Sequence, residues 1–552
     1  GGGPVQRPAL VAFAAPPREE GDGVAAAVAA MARPCGPYVG AIDQGTTSSR
    51  FILFDVTRTA VASHQLEHDQ VEERPGWCEH KPAQIVERVR ECIEVAMAQA
   101  KSEHGIEPRD VAGVGITNQR ETLVVWDRTS GKPLHNALVW HDLRTAAVAE
   151  GIKRDHGGAD AFRDVTGLPV STYFSATKLM WLRDNVPAVA EALRDGSAMV
   201  GTIDSWLLYS LTGGAGKGVH VTDVSNASRT MLMDLRAREW HAPTCDTLGV
   251  PLKCLPQIRS NAEVYGAIVG GPLDGVALSG CVGDQQAAVL GHRCVEGEAK
   301  NTYGTGCFML MHTGDRVVPS AHGLLSTALF QLGPDATPQY ALEGSVATAG
   351  CGVQWLRDKL GIISESSEVE TKAESVPDTA GVYFVPALTG LYAPHWRADA
   401  RGTVVGLTHY ATDAHICRAM LEAICFQSNE VLESMVKDEQ SEGGTVELKR
   451  LLVDGGACVN NLLMQTQADL LGVPVFRPEY VETTALGAAI AAGVGIGVWS
   501  QEMLFGEDGR ADAAGTTFEP GNHAKDRARR KRRWAQALER SLGWGEEEVV
   551  ED

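Results

Sequence analysis

Short apolar runs alternate with longer segments of helical spacing along most of the chain, and this alternation predicts strands separated by helices. The first regular segment predicts two strands, at 38–42 and 51–54, joined by a turn rich in Gly, Thr and Ser. Further strands are predicted at 111–117, 121–126, 276–282 and 448–453. Apolar residues at every third or fourth position predict helices at 82–100, 176–185, 205–211, 350–359 and 414–436. This pattern favours a fold of α/β layers.

A second unit begins near residue 293 and opens with the same pattern as the first. Its opening segment, KNTYGTGCFMLMHTG at 300–314, predicts a strand, a Gly/Thr turn and another strand. The chain has 552 residues, which is too long for one hydrophobic core. We therefore expect two related domains, at 37–292 and 293–545, flanked by an extension at 1–36 and an acidic tail at 546–552.

Residues 1–36 are rich in Gly, Ala and Pro and show no strand or helix period. Because such a segment has no apolar face to dock on a core, we expect a disordered extension. The alternative is the remnant of an organelle transit peptide, but Glu19, Glu20 and Asp22 argue against it, since such peptides avoid acidic residues. We therefore expect a cytoplasmic protein, with an organelle as the alternative.

Composition and charge exclude several classes of protein. Hydrophobic residues make up 44% of the chain and charged residues 22%, which is typical of a globular protein. The net charge of -21 repels nucleic acid, so we expect no nucleic-acid partner. The apolar stretch at 485–498 is too short to cross a bilayer, so we expect no membrane span. The twelve cysteines are scattered singly, which indicates buried thiols in a reducing compartment rather than a zinc site.

One basic cluster, at 527–533, stands apart from this acidic composition. It is either a nucleic-acid or nuclear-targeting patch or the polar face of a last helix. We favour the helix, with Trp534, Ala537 and Leu538 on its apolar side.

The turn DQGTTSSR at 43–50 has the composition of a phosphate-binding nest. Gly45 permits a tight turn, and the small residues leave backbone N–H groups and hydroxyls directed into one space. Asp43, at the strand end, is a candidate to hold Mg²⁺ through water. The alternative is an ordinary hairpin with hydroxyl-rich turn residues.

Two further glycine-rich segments carry related chemistry. NTYGTG at 301–306 repeats the Gly/Thr turn, and two such turns, each opening a domain, favour phosphate binding over an ordinary hairpin. DGGACVNN at 454–461 places two glycines before a helix, where a bare backbone permits close approach of a flat ring or a sugar. The alternative for this last segment is a simple helix entry loop.

Charged residues at two strand ends are candidates for substrate contacts. GDQQ at 283–286 places Asp284 where a carboxylate can face a cleft, although Asp is also a favoured helix N-cap. NQRET at 118–122 places Arg120 beside Glu121. One alternative is that this pair lies in a solvated loop. The other is that it faces a cleft and binds a polyhydroxylated substrate, with Arg donating and Glu accepting hydrogen bonds.

Together these segments resemble the FGGY family of carbohydrate kinases. Two long patterns of that family are present, YFSATKLMWLRD at 173–184 and GTVVGLTHYATDAHICRAMLE at 402–422. Within the family the resemblance is strongest to the members that phosphorylate glycerol. It rests on DQGTTSSR, GWCEHKP at 76–82, ITNQRET at 116–122, GTIDSWLLYSLTGG at 201–214, TDVSNASRTML at 222–232, GDQQAA at 283–288 and NTYGTGCFMLMHTG at 301–314.

This resemblance implies an α/β fold of two actin-like (ribonuclease H-like) ATPase domains flanking a central cleft. It implies ATP-dependent phosphorylation of glycerol to sn-glycerol 3-phosphate, with ATP/ADP and Mg²⁺ bound in the cleft, and a homo-oligomer, either a dimer or a tetramer. The alternatives are a kinase for another polyol or sugar and a non-catalytic actin-like ATPase. The last alternative assigns no function to four residues, namely Arg120, Glu121, Tyr173 and Phe308.

The resemblance also implies roles for individual residues. Asp284 would be the general base, and glycerol would meet Arg120, Glu121, Tyr173, Asp284, Gln285 and Phe308. The nucleotide phosphates would lie along Thr46, Thr47, Ser48, Arg50 and Thr305. The nucleoside pocket would be lined by Gly350, Gln354, Gly456 and Asn460, and Asp43 would hold Mg²⁺ through water.

Overall fold

Six strands of the N-terminal half form one mixed sheet, with the first hairpin of the chain close to its centre. The computed structural model describes residues 36–444, 447–480, 482–506, 514–521 and 524–545. The strands of this half are β1 Tyr38–Gln44, β2 Ser48–Phe54, β3 Ala60–Glu67, β4 Glu79–His80, β5 Val111–Asn118, β6 Leu123–Asp127, β7 Ala137–Leu138, β8 Ala198–Thr202, β9 Val221–Asp223, β10 Met233–Asp234, β11 Glu239–Trp240, β12 Gln257–Arg259, β13 Ala262–Ala267 and β14 Ala277–Gly283. The six-stranded sheet has the order β13-β14-β5-β1-β2-β3. In it β14, β5 and β1 are parallel, whereas β13, β2 and β3 are antiparallel to their neighbours.

The C-terminal half repeats this arrangement. Its strands are β15 Ala299–Tyr303, β16 Cys307–His312, β17 Leu325–Phe330, β18 Gln339–Val346, β19 Tyr383–Val385, β20 Thr403–Val405, β21 Leu451–Asp454, β22 Val475–Pro478 and β23 Gly515–Phe518. The order β17-β18-β16-β15-β21-β22-β23 again places a hairpin, β15–β16, next to parallel strands, β21 and β22. The two hairpins therefore hold the same place in their sheets, and the predicted α/β fold of two domains is confirmed.

Helices connect and cover the two sheets. They are α1 Pro82–His104, α2 Ala146–His156, α3 Arg163–Thr166, α4 Ser175–Asn185, α5 Pro187–Asp195, α6 Ile203–Leu211, α7 Val224–Ala227, α8 Ala242–Leu248, α9 Asp284–Gly291, α10 Gly350–Trp355, α11 Glu368–Glu374, α12 Asp413–Ser441, α13 Asn461–Leu471, α14 Thr483–Gly495, α15 Gln501–Phe505 and α16 Ala524–Glu539. The long helices α1 and α12 occupy equivalent positions, because each leads from the antiparallel strands of its half to the next parallel strand.

The two halves share a core through α9 and α14, the helices that follow the last parallel strand of each sheet. A Cβ atom on Gly487 would lie 1.8 Å from the carbonyl oxygen of Ala287, so α14 and α9 meet backbone to backbone. A Cβ atom on Gly115 of β5 would lie 2.0 Å from the carbonyl oxygen of Ala488, so α14 also lies directly on the first sheet. The cluster around α14 combines buried residues from both halves, among them Ile52, Val289, Leu452 and Ala489.

Some predicted boundaries shift in the structure. The strand expected from 121 begins at Leu123, because Arg120 and Glu121 belong to a buried network of charges just before it. The helix expected at 350–359 ends as an α-helix at Trp355 and continues as the π-helical turn Leu356–Leu360. Residues 1–35 and 546–552 lie outside the described residues, so the extension and the acidic tail stay predictions.

The basic cluster lies on α16, and Trp534, Ala537 and Leu538 are its buried residues, as predicted. Arg530 pairs with Glu422 at 2.8 Å and Lys531 with Glu433 at 2.6 Å, so part of the cluster binds the long helix α12. Within the part of the chain that the structure describes, no helix is long and apolar enough to cross a membrane. The eleven cysteines of that part form no disulfide with one another.

Candidate active site

The turn between β1 and β2 rests on a buried layer of uncharged polar side chains. Gly45 N–H donates to the Ser48 carbonyl at 2.9 Å, which closes the turn. The amide of Gln119 donates to the Gly45 carbonyl at 3.1 Å and also lies 3.2 Å from the His80 ring. Burial lowers the pKa of His80 to about 3, so its ring is neutral. Thr46, Thr47 and Ser48 stand above this layer at least partly exposed, where their donors suit an anion.

Asp43 and Arg50 are direct partners across the same hairpin. Arg50 pairs with Glu482, the residue before α14, and so links the first turn to the C-terminal half. Burial raises the pKa of Asp43 to about 6; Arg50 opposes this rise, and Glu482 and Asp284 add to it. A cation would relieve this repulsion, and carboxylate oxygens are the ligands that Mg²⁺ prefers. The residues around Asp43 therefore fit a magnesium site.

The second turn, between β15 and β16, is tied to the start of α10. The carbonyl of Thr305 accepts hydrogen bonds from the backbone N–H groups of Ala349 and Cys351, at 3.0 and 3.1 Å. A Cβ atom on Gly350 would lie 2.7 Å from the Gly304 carbonyl oxygen, so a glycine is needed at this approach. The structure thus brings together Thr305 and Gly350, and Gln354 is exposed one helical turn further along α10.

The DGGA segment lies beside the same strand. A Cβ atom on Gly455 would lie 2.6 Å from the Tyr303 carbonyl oxygen, whereas one on Gly456 would have open space around it. Asn460 caps α13 by accepting a hydrogen bond from Leu463 N–H at 2.8 Å. The helix entry predicted for this segment is confirmed, and Gly456 leaves an open backbone for a ligand.

Four charged side chains form a closed, buried ring at the domain boundary. Arg120 donates two hydrogen bonds to Glu343 of β18, at 2.5 and 2.9 Å. Arg229 donates to Glu121 at 2.8 Å and to Glu343 at 3.1 Å, and Arg120 Nε lies 3.9 Å from Glu121. Burial disfavours the charge on Glu343, but the two guanidinium groups lower its pKa to about 2. Arg120 and Glu121 are therefore held in place by partners rather than solvated.

Asp284 is the first residue of α9 and lies at the edge of this ring. Its carboxylate is 3.2 Å from Arg120 Nε and accepts a hydrogen bond from Gln285 N–H at 2.7 Å. Its side chain is 29% exposed, so a substrate can reach it. The N-cap position belongs to Gly283 rather than to Asp284, which weakens the alternative of a helix cap. Burial raises the pKa of Asp284, although Arg120 lowers it, and a raised pKa favours a proton acceptor.

Three aromatic rings close the other side of the site. The indole of Trp140 lies 5.5 Å from the Tyr173 ring and 6.2 Å from the Phe308 ring, measured between centroids. Its Nε1 donates to the hydroxyl of Thr46 at 2.9 Å. Burial raises the pKa of Tyr173, so its phenol stays protonated and can donate. Trp140 therefore joins the β1–β2 turn to the aromatic wall of the candidate substrate site.

The aromatic wall is held from behind by Lys178, which is fully buried. Its ammonium donates to the backbone carbonyls of Thr172, Tyr173 and Trp140, at 2.7, 2.8 and 3.2 Å. Two pocket residues from separate segments are thereby tied to one side chain. The lysine of the YFSATKLMWLRD segment therefore has a direct role in shaping the site.

The GWCEHKP segment braces the loop that carries Trp140. The guanidinium of Arg144 lies over the Trp77 ring, 3.9 Å from its centroid, and donates to Glu79 at 2.7 Å. Cys78 N–H donates to Asp142 at 2.6 Å. These contacts fix the loop from both sides and so hold Trp140 against the first turn.

The structure adds four residues that the sequence analysis did not single out, namely Trp140, Arg229, Lys300 and Glu343. Lys300 of β15 donates to the side-chain oxygen of Gln285 at 2.6 Å. A signal for two of them was present in the sequence. Lys300 and Glu343 are charged residues within otherwise buried strands, and a buried charge calls for a partner.

The fold defines the class of protein: two related α/β domains, each with a Gly/Thr hairpin turn, and a buried cluster of charged side chains between them. The chain belongs to the FGGY family of carbohydrate kinases. The model of the N-terminal domain of that family matches residues 38–291, and the model of its C-terminal domain matches residues 299–496.

Several glycerol kinases are similar to this chain. It is 51% identical to the glycerol kinase of Brucella anthropi over 508 residues, which cover 92% of this chain and 99% of that protein. It is 49% identical to the glycerol kinase of Arabidopsis thaliana, over 92% of this chain and 98% of that protein. The crystal structure of Plasmodium falciparum glycerol kinase with ADP superposes with a TM-score of 0.85 at 37% identity, covering 92% of this chain and 98% of that one.

Proposed function

We propose that this protein transfers the terminal phosphoryl group of ATP to glycerol, giving ADP and sn-glycerol 3-phosphate. The names of its relatives support this activity, since both the Brucella and the Arabidopsis proteins are glycerol kinases. The observation that carries the proposal in the structure is the position of Trp140. Its indole touches the first phosphate turn through Thr46 and the substrate site through Tyr173 and Phe308. A hydroxyl bound there would face a phosphoryl group bound at the turn.

The candidate substrate site has the chemistry that glycerol requires. Glycerol has three hydroxyls and a small apolar surface, so its site needs directed donors and acceptors beside an apolar wall. Arg120 and the Tyr173 phenol supply donors, and Glu121 and Asp284 supply acceptors. Phe308 and Trp140 cover the carbon side. Gln285, whose side-chain oxygen is held by Lys300, supplies a further polar group.

Asp284 is the general base in this proposal. As the phosphoryl group moves, the attacking hydroxyl must lose a proton, and a positioned carboxylate can accept it. Arg120, at 3.2 Å, holds the carboxylate in place and stabilises its charge. The remaining catalytic demand is the orientation of the phosphoryl group and the neutralisation of its charge. We assign that task to Thr46, Thr47, Ser48 and Arg50 on the first turn and to Thr305 on the second.

The nucleotide and the metal complete the proposal. We assign the nucleoside to the backbone at Gly350, which packs closely against Gly304, and to the open backbone at Gly456, with Gln354 and Asn460 at its edges. Asp43 would hold Mg²⁺ through water, and the metal would supply positive charge to the phosphate oxygens. A reducing compartment such as the cytoplasm suits the free, mostly buried thiols. Association into a dimer or tetramer stays a prediction, which analytical ultracentrifugation would test.

A coupled assay of ADP release across glycerol, erythritol, xylulose and gluconate tests the proposal. We expect glycerol to give the highest kcat/KM, and nucleotide hydrolysis without an acceptor to be slow. Preference for another acceptor would indicate a different polyol or sugar kinase. ADP release that no acceptor stimulates would contradict the kinase assignment altogether.

A further inference from the structure

Arg120 and Gln285 are two candidate glycerol-binding residues beside Asp284, and each is held by a residue of the other domain. Arg120 follows β5 in the N-terminal sheet, but its two terminal nitrogens bind Glu343 on β18 of the C-terminal sheet. Gln285 belongs to α9, but its side-chain oxygen accepts from Lys300 on β15 of the C-terminal sheet. Glu343 and Lys300 therefore support the candidate glycerol site without lining it.

Glu343 is the stronger of these two links. It is 2% exposed, and it accepts from Arg120 with both carboxylate oxygens and from Arg229 with one. A bidentate pair of this kind fixes the plane of the guanidinium as well as its position. With the two terminal nitrogens occupied, Arg120 presents Nε to Asp284 at 3.2 Å. The orientation of Arg120 toward the general base thus depends on a residue of the second domain.

We propose that Glu343 is a positioning residue for glycerol binding, which acts through Arg120 and makes the affinity for glycerol depend on the C-terminal domain. This inference rests on the proposed function, since it specifies how the same site is built. Glu343 does not touch the substrate in this account. It fixes the orientation of the residue that does, Arg120.

The substitution Glu343→Gln tests the proposal, because the amide keeps the size of the side chain but loses the charge and one acceptor. We expect the KM for glycerol to rise about 10- to 100-fold, the range for a charged hydrogen-bonding pair that is lost. We expect the KM for ATP to stay within about threefold, because the two phosphate turns are unchanged. Glu298→Gln is the matched control, since Glu298 is also buried and paired with an arginine, Arg450, at 2.7 Å.

A double-mutant cycle with Arg120→Ala separates positioning from general structural damage. If Glu343 acts through Arg120, Glu343→Gln should change glycerol kcat/KM by less than about threefold once Arg120 is absent. Should Glu343→Gln fail to fold, Glu343→Asp gives the same reading, because it keeps the charge but withdraws the carboxylate by one methylene. A selective rise in the KM for glycerol is expected there as well.

Three results would overturn the inference: an unchanged KM for glycerol in both Glu343 variants, equal rises in the KM for glycerol and ATP, or an undiminished effect in the Arg120→Ala background. An assay of glycerol phosphorylation by the unaltered protein distinguishes a failure of this inference from a failure of the proposed function. If it does not phosphorylate glycerol, the proposed function is wrong. If it does and the Glu343 variants bind glycerol normally, only this inference is wrong.

Discussion

At the scale of single residues, Lys178 shows how the site uses a buried amine that is held by backbone carbonyls. Its three donors go to backbone carbonyls, two of which belong to the pocket residues Trp140 and Tyr173. Burial lowers its pKa from the usual 10.5 to about 7, while Glu121 and Asp142 oppose that change. Keeping Lys178 charged in this buried site therefore costs stability, and the folded chain loses the proton at a lower pH than the unfolded chain does.

This lowered pKa predicts a pH dependence of stability. Between pH 7 and pH 10 the unfolded chain holds a proton on Lys178 that the folded chain has released. The contribution of Lys178 to the free energy of unfolding therefore rises with pH, by at most about 1.4 kcal/mol per pH unit. Lys178→Met should remove this slope, and urea unfolding between pH 6 and pH 10 measures it.

The control for Lys178 is Lys101→Met, at an exposed position near the end of α1. Its unfolding free energy should follow that of the parent protein across the pH range. If the unfolding free energies of Lys178→Met and the parent changed in parallel with pH, Lys178 would stay protonated in the folded state, contrary to this prediction.

A site residue could be predicted from the sequence where its chemistry depends on neighbours along the chain. It could not be predicted where its partner is distant in sequence. Asp43, Thr46, Thr305 and Asp284 stand in turns or at strand ends, so their local pattern indicates their chemistry. The partner of Arg120 is 223 positions away along the chain, and no local pattern connects the two. Trp140 was missed for the same reason, since its hydrogen bond to Thr46 spans 94 positions.

At the scale of elements, the hairpins and helices were predictable because their hydrophobic periods are local. The same turn pattern at 43–50 and 301–306 predicted two related domains, and the matching strand orders of the two sheets agree with it. The role of α14 was not predictable. Its run of Ala and Gly looks like an ordinary buried helix, but its small residues allow it to touch both α9 and the first sheet.

Gly487→Ala tests the close packing of α14. The added methyl group would lie 1.8 Å from the Ala287 carbonyl oxygen, so the two helices must separate. We expect a loss of about 3 kcal/mol in the free energy of unfolding, as for an overpacked core, measured by urea denaturation.

The matched control is Gly151→Ala within α2, where the nearest atom to an added Cβ is the Arg154 Nη2 at 3.8 Å. There alanine should increase stability by about 0.5–1 kcal/mol, because it favours the helix over the unfolded chain. Equal effects of the two substitutions would show that helix propensity, rather than the contact with α9, governs Gly487.

At the scale of the whole molecule, the two halves of the chain share a buried core. The first sheet is covered by α14, a helix of the C-terminal half, and the cluster around α14 takes buried residues from both. A fragment of residues 36–292 should therefore expose a large apolar face of its sheet and fail to unfold cooperatively. Co-expression with residues 293–545 should restore a soluble complex with a cooperative transition.

Circular dichroism in the near and far ultraviolet checks this prediction. Native-like near-ultraviolet signal and a sharp thermal transition in the isolated fragment 36–292 would show that the N-terminal domain is stable alone. The shared core would then stabilise the packing of the two domains against each other rather than the fold of each domain.

In the proposed reaction, the two domains meet so that Asp284 accepts a proton from a glycerol hydroxyl while ATP lies on the two phosphate turns. Asp284→Asn tests it most directly, because the amide keeps the shape of the carboxylate and removes the proton acceptor. The measurement is kcat with saturating glycerol and ATP, together with the affinity for ADP on the same preparation. We predict a fall in kcat of about 10²- to 10⁴-fold, the range for a positioned acid–base group, with the affinity for ADP within about twofold of the parent. A kcat within about threefold of the parent, far short of the loss expected for a general base, would contradict the account.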